Sequence, residues 1–356
     1  MSFSHKLTSQ DIRTIDQSGM ASHIANTGSY IREAVQLTNT ALEHAKLPAS
    51  VRSIIVVGIG GSAIGGDLVK SYLTGKLSIP LVINRSYDLP SFADNESLII
   101  ASSYSGNTEE TFAMFEEAAR RKAQVICVTT GGKLGERAKE LGLIAIPQRP
   151  GMQPRAAALS YSFAPILLLL EKMGLTNGEA QNLEYAATLL DKLAERYGLA
   201  NLTDSNRAFS LAGQLTHRIP VIYSANDYEA VNLRWRGQLQ ENSKHLAFGN
   251  LLPEMNHNEI EGWAHPIDVL QHLFVILLRS REDEHPRISK RFEVIKEILQ
   301  GKQVPIVEAQ AEGSTRLERM FSLISLADWT SLYLALFTGV DPTSIPAIEQ
   351  LKKRMG

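Results

Sequence analysis

The tightest constraint on this chain is a recurring unit of strand, small-residue loop and helix. Ser53-Ile-Ile-Val-Val57 is a β-branched run of the kind buried on both faces of a parallel sheet. It empties into Gly58-Ile-Gly-Gly-Ser-Ala-Ile-Gly-Gly66, after which Asp67–Leu73 has a helical pattern. Ile79–Asn84 reads as a second strand. Ser97–Ser102 reads as a third, leading into Ser103-Tyr-Ser-Gly-Asn-Thr108 and a helix through Arg121. Gln124–Thr129 is a fourth, ending at Thr130-Gly-Gly132 before a helix from Lys133 to Leu141. This alternation predicts a parallel sheet with helices on both faces.

A helix over Ser160–Met173 closes this half, and Glu179–Tyr197 is a long helix opening the next. There, Pro220–Ser224 and Gln303–Glu308 read as strands, and Asp227–Lys244, Arg291–Leu299 and Arg316–Thr338 as helices. Leu270–Leu278 is so apolar that periodicity leaves helix and strand both open. The expected organisation is two α/β domains, residues 1–178 and 179–356, without a residue-level repeat between them.

Charge and cysteine content narrow the function classes. With 36 Lys and Arg against 38 Asp and Glu, the chain lacks the basic excess of a nucleic-acid protein. Cys127 is the single cysteine, so an intrachain disulfide framework and a multi-cysteine metal cluster are excluded. The apolar runs Phe163–Leu170 and Leu273–Leu278 are far short of the roughly 20 residues that cross a bilayer. The first residues, MSFSHKLTSQDIR, hold no signal-like apolar stretch, so a cytoplasmic protein without membrane or nucleic-acid partners is expected.

Two loops carry chemistry. Gly58-Ile-Gly-Gly-Ser-Ala63 follows a strand and opens a helix, the geometry that points backbone amides and a positive helix end at an anion. A Walker A loop would end in Gly-Lys-Ser/Thr, whereas this one continues Gly65-Gly66-Asp67. Gly58, Gly60 and Ala63 formally match a dinucleotide fingerprint, but the next strand ends Asn84-Arg85 without the ribose-binding acid. Only an NADP variant through Arg85 survives, beside the plain alternative of a tight turn without ligand. The second loop adds the hydroxyls of Ser102, Ser103, Ser105 and Thr108 at the ligand-binding end of a strand. Hydroxyls and helix amides together suit a compact phosphomonoester. Helix capping by Asn107 or Thr108 accounts for one or two of these residues, not for the cluster.

Gly60-Gly-Ser62 with Ser103-Tyr-Ser-Gly-Asn-Thr108 resembles the sugar isomerase (SIS) domain, which implies flavodoxin-like αβα sandwich subdomains with parallel sheets and a phosphosugar ligand. Further on, Pro154-Arg155-Ala-Ala157, Gln240-Glu241-Asn242-Ser-Lys244, Pro253-Glu-Met-Asn-His257-Asn-Glu259, Asp341-Pro342 and Leu351-Lys352 together resemble the bifunctional phosphoglucose/phosphomannose isomerase family. The resemblance runs from about Ile54 to Lys352. It implies aldose–ketose isomerisation of glucose 6-phosphate and mannose 6-phosphate with fructose 6-phosphate through a cis-enediol, with neither metal nor redox cofactor.

By the same resemblance, Glu241 is the base and Arg155 stabilises the enediolate, a task that suits an always-charged, two-pronged guanidinium. His257 opens the sugar ring with help from Lys352 (or its neighbour Lys353), and is contributed across a homodimer interface. Gly61, Ser62, Ser103, Ser105 and Thr108 hold the phosphate. Ordinary roles stand beside these: Glu241 as a solvated carboxylate near a helix end, Arg155 as a surface ion pair, and His257, Glu259, Glu261 and His265 as a metal site lacking helical ligand spacing. Rival functions are another SIS-domain phosphosugar isomerase, a non-catalytic sugar-phosphate sensor, and an NADP-dependent oxidoreductase.

Overall fold

The computed structural model describes residues 7–152 and 158–355 of the 356. The chain divides into two compact units, residues 26–188 and residues 1–25 with 189–356. This division differs from a boundary at 178/179. It falls inside a helix, and the first residues join the second unit because α2 (Met20–Ala25), which follows α1 (Ser9–Ile15), packs its buried Met20 and Ile24 side there.

In the 26–188 unit the order is α3 (Thr27–Leu42), β1 (Ser53–Val57), α4 (Gly61–Tyr72), β2 (Leu81–Asn84), β3 (Ser97–Ser103), α5 (Glu109–Arg120), β4 (Gln124–Thr129), α6 (Gly132–Glu140), β5 (Ile144–Pro147), α7 (Ala158–Lys172) and the start of α8 (Glu179–Tyr197). The sheet is wholly parallel, ordered β2-β1-β3-β4-β5. That is the flavodoxin-type doubly wound order, not the 3-2-1-4-5-6 order of a dinucleotide fold. Strand alternation sets the layers. Ile55, Val57, Ile99, Ala101, Val125 and Cys127 face Met114, Phe115 and Ala118 of α5 and Leu134 and Ala138 of α6. On the opposite face α4 lies against Val56, with α7 packed on α4 and α3.

The other unit continues with α9 (Arg207–Leu215), β6 (Ile219–Ala225), α10 (Glu229–Ser243), β7 (Phe248–Leu252), the single-turn α11 (Glu259–Gly262) and α12 (Ile267–Leu270), β8 (Leu273–Arg279), α13 (Pro286–Gly301), β9 (Ile306–Gln310), α14 (Arg316–Thr338) and α15 (Pro346–Met355). Its sheet is also parallel, ordered β7-β6-β8-β9. The ambiguous apolar stretch is β8, paired on both edges, which is why polar alternation is missing from it. α13 covers one face through Phe292, Ile295 and Leu299. α10, α9 and α14 pack together. An 18-residue stretch of α14 has a mean hydropathy of 1.4, but 94% of it is buried, as in the core helix of a globular protein. A Thr315/Glu318 capping box starts it and Gly339, in the left-handed region, ends it.

Candidate active site

In the 26–188 unit the strand order reverses between β1 and β3, and a doubly wound sheet binds ligands outside the carboxyl ends of its strands at that point. The glycine loop and the hydroxyl loop leave the sheet there, side by side. Gly60 adopts φ +56° to turn β1 into α4. Gly106 has φ +70°, and a Cβ on it would lie 1.7 Å from the Gly131 carbonyl oxygen, so the close approach of the loops after β3 and β4 at this point requires glycine.

The hydroxyls divide into those that build the loop and those that remain open. Ser102 and Ser103 are buried. Ser103 Oγ donates to Thr108 Oγ1 at 3.0 Å and accepts the Gly106 amide at 3.1 Å. Ser62 Oγ accepts the Tyr104 amide at 3.0 Å, joining the two loops directly. Ser105 and Gly61 are exposed, and Ser62 and Thr108 partly so. Capping does not explain the cluster. Thr108 makes no side-chain bond to the amides of α5, and Asn107 Oδ1 accepts the Lys133 amide of α6 at 3.2 Å instead of serving its own helix. α4 likewise starts without a side-chain cap. Two adjacent helices thus present positive ends beside open hydroxyls, a site for a compact anion.

Sequence reasoning missed Tyr104 and Thr130. The Tyr104 carbonyl accepts from the Thr130 amide (3.1 Å) and hydroxyl (2.7 Å), and the Tyr104 hydroxyl reaches Arg149 and Met152. Its place in the middle of the Ser-Tyr-Ser-Gly-Asn-Thr run was the available signal. Arg149, whose carbonyl holds the Tyr104 hydroxyl, pairs with Glu33 at 3.0 Å. Arg155 lies outside the described residues.

Glu241, His257 and Lys352 all belong to the other unit, on separate elements. Glu241 is partly buried in the last turn of α10. On the neighbouring stripe, Arg234 and Gln238 both donate to Asp328 of α14 (2.9 and 2.8 Å), and Asn242 donates to Ser331 Oγ at 3.0 Å. Burial pushes the Asp328 carboxyl up, against the pull of Arg234 and Gln238. Lys244 ends α10 in the left-handed region at φ +56°, its ammonium donating to the carbonyls of Glu241 (3.0 Å) and Asn242 (3.2 Å).

His257 is exposed after a short 3₁₀ turn, in the loop that follows β7. That loop is pinned by Glu259, which accepts from Tyr223 of β6 and, at 2.7 Å, from Asn250 of β7. Glu259 is therefore engaged in structure, and among the described residues no group of three or more His, Cys, Asp or Glu is disposed to hold a metal. Lys352 and Lys353 are both exposed on α15.

Two further candidates are also accounted for. Arg85, the NADP alternative, pairs with Asp67 of α4. Cys127 is buried in the core, and that burial pushes its thiol up to about 12, leaving it unreactive.

Comparison with known proteins agrees with this geometry in two stages. Residues 49–170 match the SIS domain family, and residues 204–355 match the bacterial phospho-glucose isomerase C-terminal SIS domain. A solved hypothetical protein of Thermus thermophilus has the same fold, with a TM-score of 0.72 at 16% identity over 97% of this chain and 92% of that one. The fold is that of the SIS-domain proteins.

Curated relatives narrow it. The bifunctional phosphoglucose/phosphomannose isomerase of Caldicellulosiruptor bescii is 38% identical over 94% of this chain and 98% of its own. That of Aquifex aeolicus is 36% identical over 85% and 90%. The D-glucosamine-6-phosphate 4-epimerase of Sulfolobus acidocaldarius is 32% identical over 60% of this chain and 64% of its own. The chain belongs to the bifunctional phosphoglucose/phosphomannose isomerase family.

Proposed function

We propose that this chain is an aldose–ketose isomerase that interconverts glucose 6-phosphate and mannose 6-phosphate with fructose 6-phosphate through a cis-enediol. The observation that carries the reading is the pair of uncapped helix starts with open hydroxyls at the β1/β3 switch point, in a chain of this family. Gly61, Ser62, Ser105 and Thr108 bind the phosphate, with Ser103 ordering Thr108 from beneath.

His257, with Lys352, moves the proton that opens the ring. Glu241 then carries a proton between C2 and C1 while Arg155 balances the charge on the enediolate oxygens. The reaction moves hydrogen within one substrate and is redox-neutral, so these groups supply the required chemistry. The protein works in the cytoplasm as a homodimer, each His257 serving its partner's site.

Isomerisation of both aldose phosphates, assayed with EDTA present, tests the reading. Glu241→Gln is expected to lower turnover about 10³-fold while phosphosugar binding persists. A wild-type protein inactive on both aldoses, or a fully active variant, overturns it. The 32%-identical epimerase relative makes a second activity worth assaying in the same preparation, by looking for the C4 epimer of glucosamine 6-phosphate.

A further inference from the structure

The polar atoms of Tyr104 are spread over three other segments. Its amide goes to Ser62, its carbonyl to Thr130, and its phenol oxygen donates to the Arg149 carbonyl at 2.9 Å while accepting the Met152 amide at 2.7 Å. Arg149 and Met152 are the first and last residues of a four-residue turn. Pro150 stands at its second position and Gly151, at φ +74°, at its third, the sequence and backbone sign of a type II turn. The phenol oxygen therefore bridges the two ends of a stiff turn.

That turn is itself anchored. Arg149 pairs with Glu33 of α3, Glu33 accepts the Tyr161 hydroxyl of α7 at 2.7 Å, and Gln148 donates to the Tyr161 carbonyl at 2.6 Å. Burial raises the Tyr104 phenol above its ordinary range, against the Met152 amide and the Arg149 charge, so it stays protonated and serves as donor and acceptor together.

We propose that Tyr104 is a positioning residue for the phosphate site: by clamping the Arg149–Met152 turn it holds the Ser103–Thr108 loop in its anion-binding shape. The inference rests on the phosphate reading of that loop. Ser105 and Thr108 follow, within four residues, a residue whose main chain and side chain are both tied down, so their hydroxyls are placed before the ligand arrives. Without the phenol bridge the loop keeps its main-chain ties but loses the strap on its outer side, and binding must then order it.

Tyr104→Phe keeps the ring and removes both bonds. Titration with inorganic phosphate is expected to show affinity about tenfold weaker than wild type, and KM for both sugar phosphates should rise by the same factor with kcat within about twofold. Gly151→Ala, which strains the turn without touching the loop, should move phosphate affinity the same way by less.

A lowered melting temperature with unchanged phosphate affinity in Tyr104→Phe would make the tyrosine merely structural and overturn the inference, as would a fall in kcat at constant KM. Failure of the wild type to bind inorganic phosphate at all would instead overturn the phosphate reading beneath it. If Tyr104→Phe does not fold, Gly151→Ala alone decides: unchanged phosphate affinity in it overturns the inference.

Discussion

The two sheets share a winding order, each with its first strand flanked by its second and third, yet their carboxyl edges are finished in opposite ways. After β1 and β3 come glycines, hydroxyls and uncapped helix amides, with Ser105 and Gly61 open to solvent. After β8 the corresponding positions are filled by the protein's own charges. Arg279 is 0% exposed, held by both oxygens of Glu284 at 2.9 Å and by Glu293 at 3.0 Å, with its guanidinium 4.4 Å from the Phe292 ring centre. Beside it Asp283 accepts from Arg319 (2.6 and 2.8 Å), Tyr228 (2.6 Å) and Ser280 (2.7 Å). One edge leaves hydroxyls and helix amides exposed. At the other, the charged groups after β8 satisfy one another. Equivalent topology therefore does not give equivalent sites; the loop residues decide which edge stays open.

The largest effect that would sharpen this contrast lies at the closed edge. Arg279→Met strands Glu284, which is nearly buried, and is expected to cost about 3–5 kcal/mol in urea unfolding. A loss below about 1 kcal/mol would mean that the edge is not held by these charges.

Next comes an attempt to make the open edge resemble the closed one. Ser105→Asp places a carboxylate where the phosphate is proposed to sit, and should raise KM about a hundredfold while leaving the melting temperature near wild type, since Ser105 is exposed. An unchanged KM would break the comparison outright.

A smaller effect is set by pH. Burial raises the Asp283 carboxyl, but Arg319, Tyr228 and Ser280 outweigh it and leave it at about 2, below its ordinary 3.8. A depressed carboxylate contributes stability that is complete above about pH 4 and is lost as pH falls toward 2, here about 2 kcal/mol. Unfolding measured at pH 5 and at pH 2.5 should show that loss in the wild type and not in Asp283→Asn. The smallest effect is Ser105→Ala, which removes one hydroxyl donor to a charged ligand and should raise KM about tenfold.

Much of this was legible in the sequence, for identifiable reasons. Central strands such as Ser53–Val57 and Ser97–Ser103 are fully buried, and burial on both faces writes itself as continuous β-branched or apolar runs. The edge strands β5 (Ile144–Pro147) and β7 (Phe248–Leu252) were missed, because a short strand with one neighbour and mixed burial carries no such run. α9 (Arg207–Leu215) was missed too, although Asn206 caps it by accepting the amides of Ala208 and Phe209.

At the site, the hydroxyl cluster was visible as a motif. Its division into Ser103 as scaffold and Ser105 as open donor was not, since it depends on how the chain folds back after β3. Tyr104 was hidden because its partners stand at Ser62, Thr130 and Arg149, far apart in the chain.

Residue types and their local order by themselves determined that this chain builds parallel α/β layers, that its first glycine loop is no lysine-bearing nucleotide cradle, and that small hydroxyls gather at a strand's end. These are statements about neighbours in sequence, and short-range sterics and hydrophobic periodicity suffice for them. Only tertiary structure decided that the strand order reverses between β1 and β3, that Arg85 is taken by Asp67, that Asn107 serves α6, and that one sheet edge is closed by Arg279 and Asp283 while the other is open. Each of those outcomes is a pairing between distant residues, fixed by where the packed elements bring them.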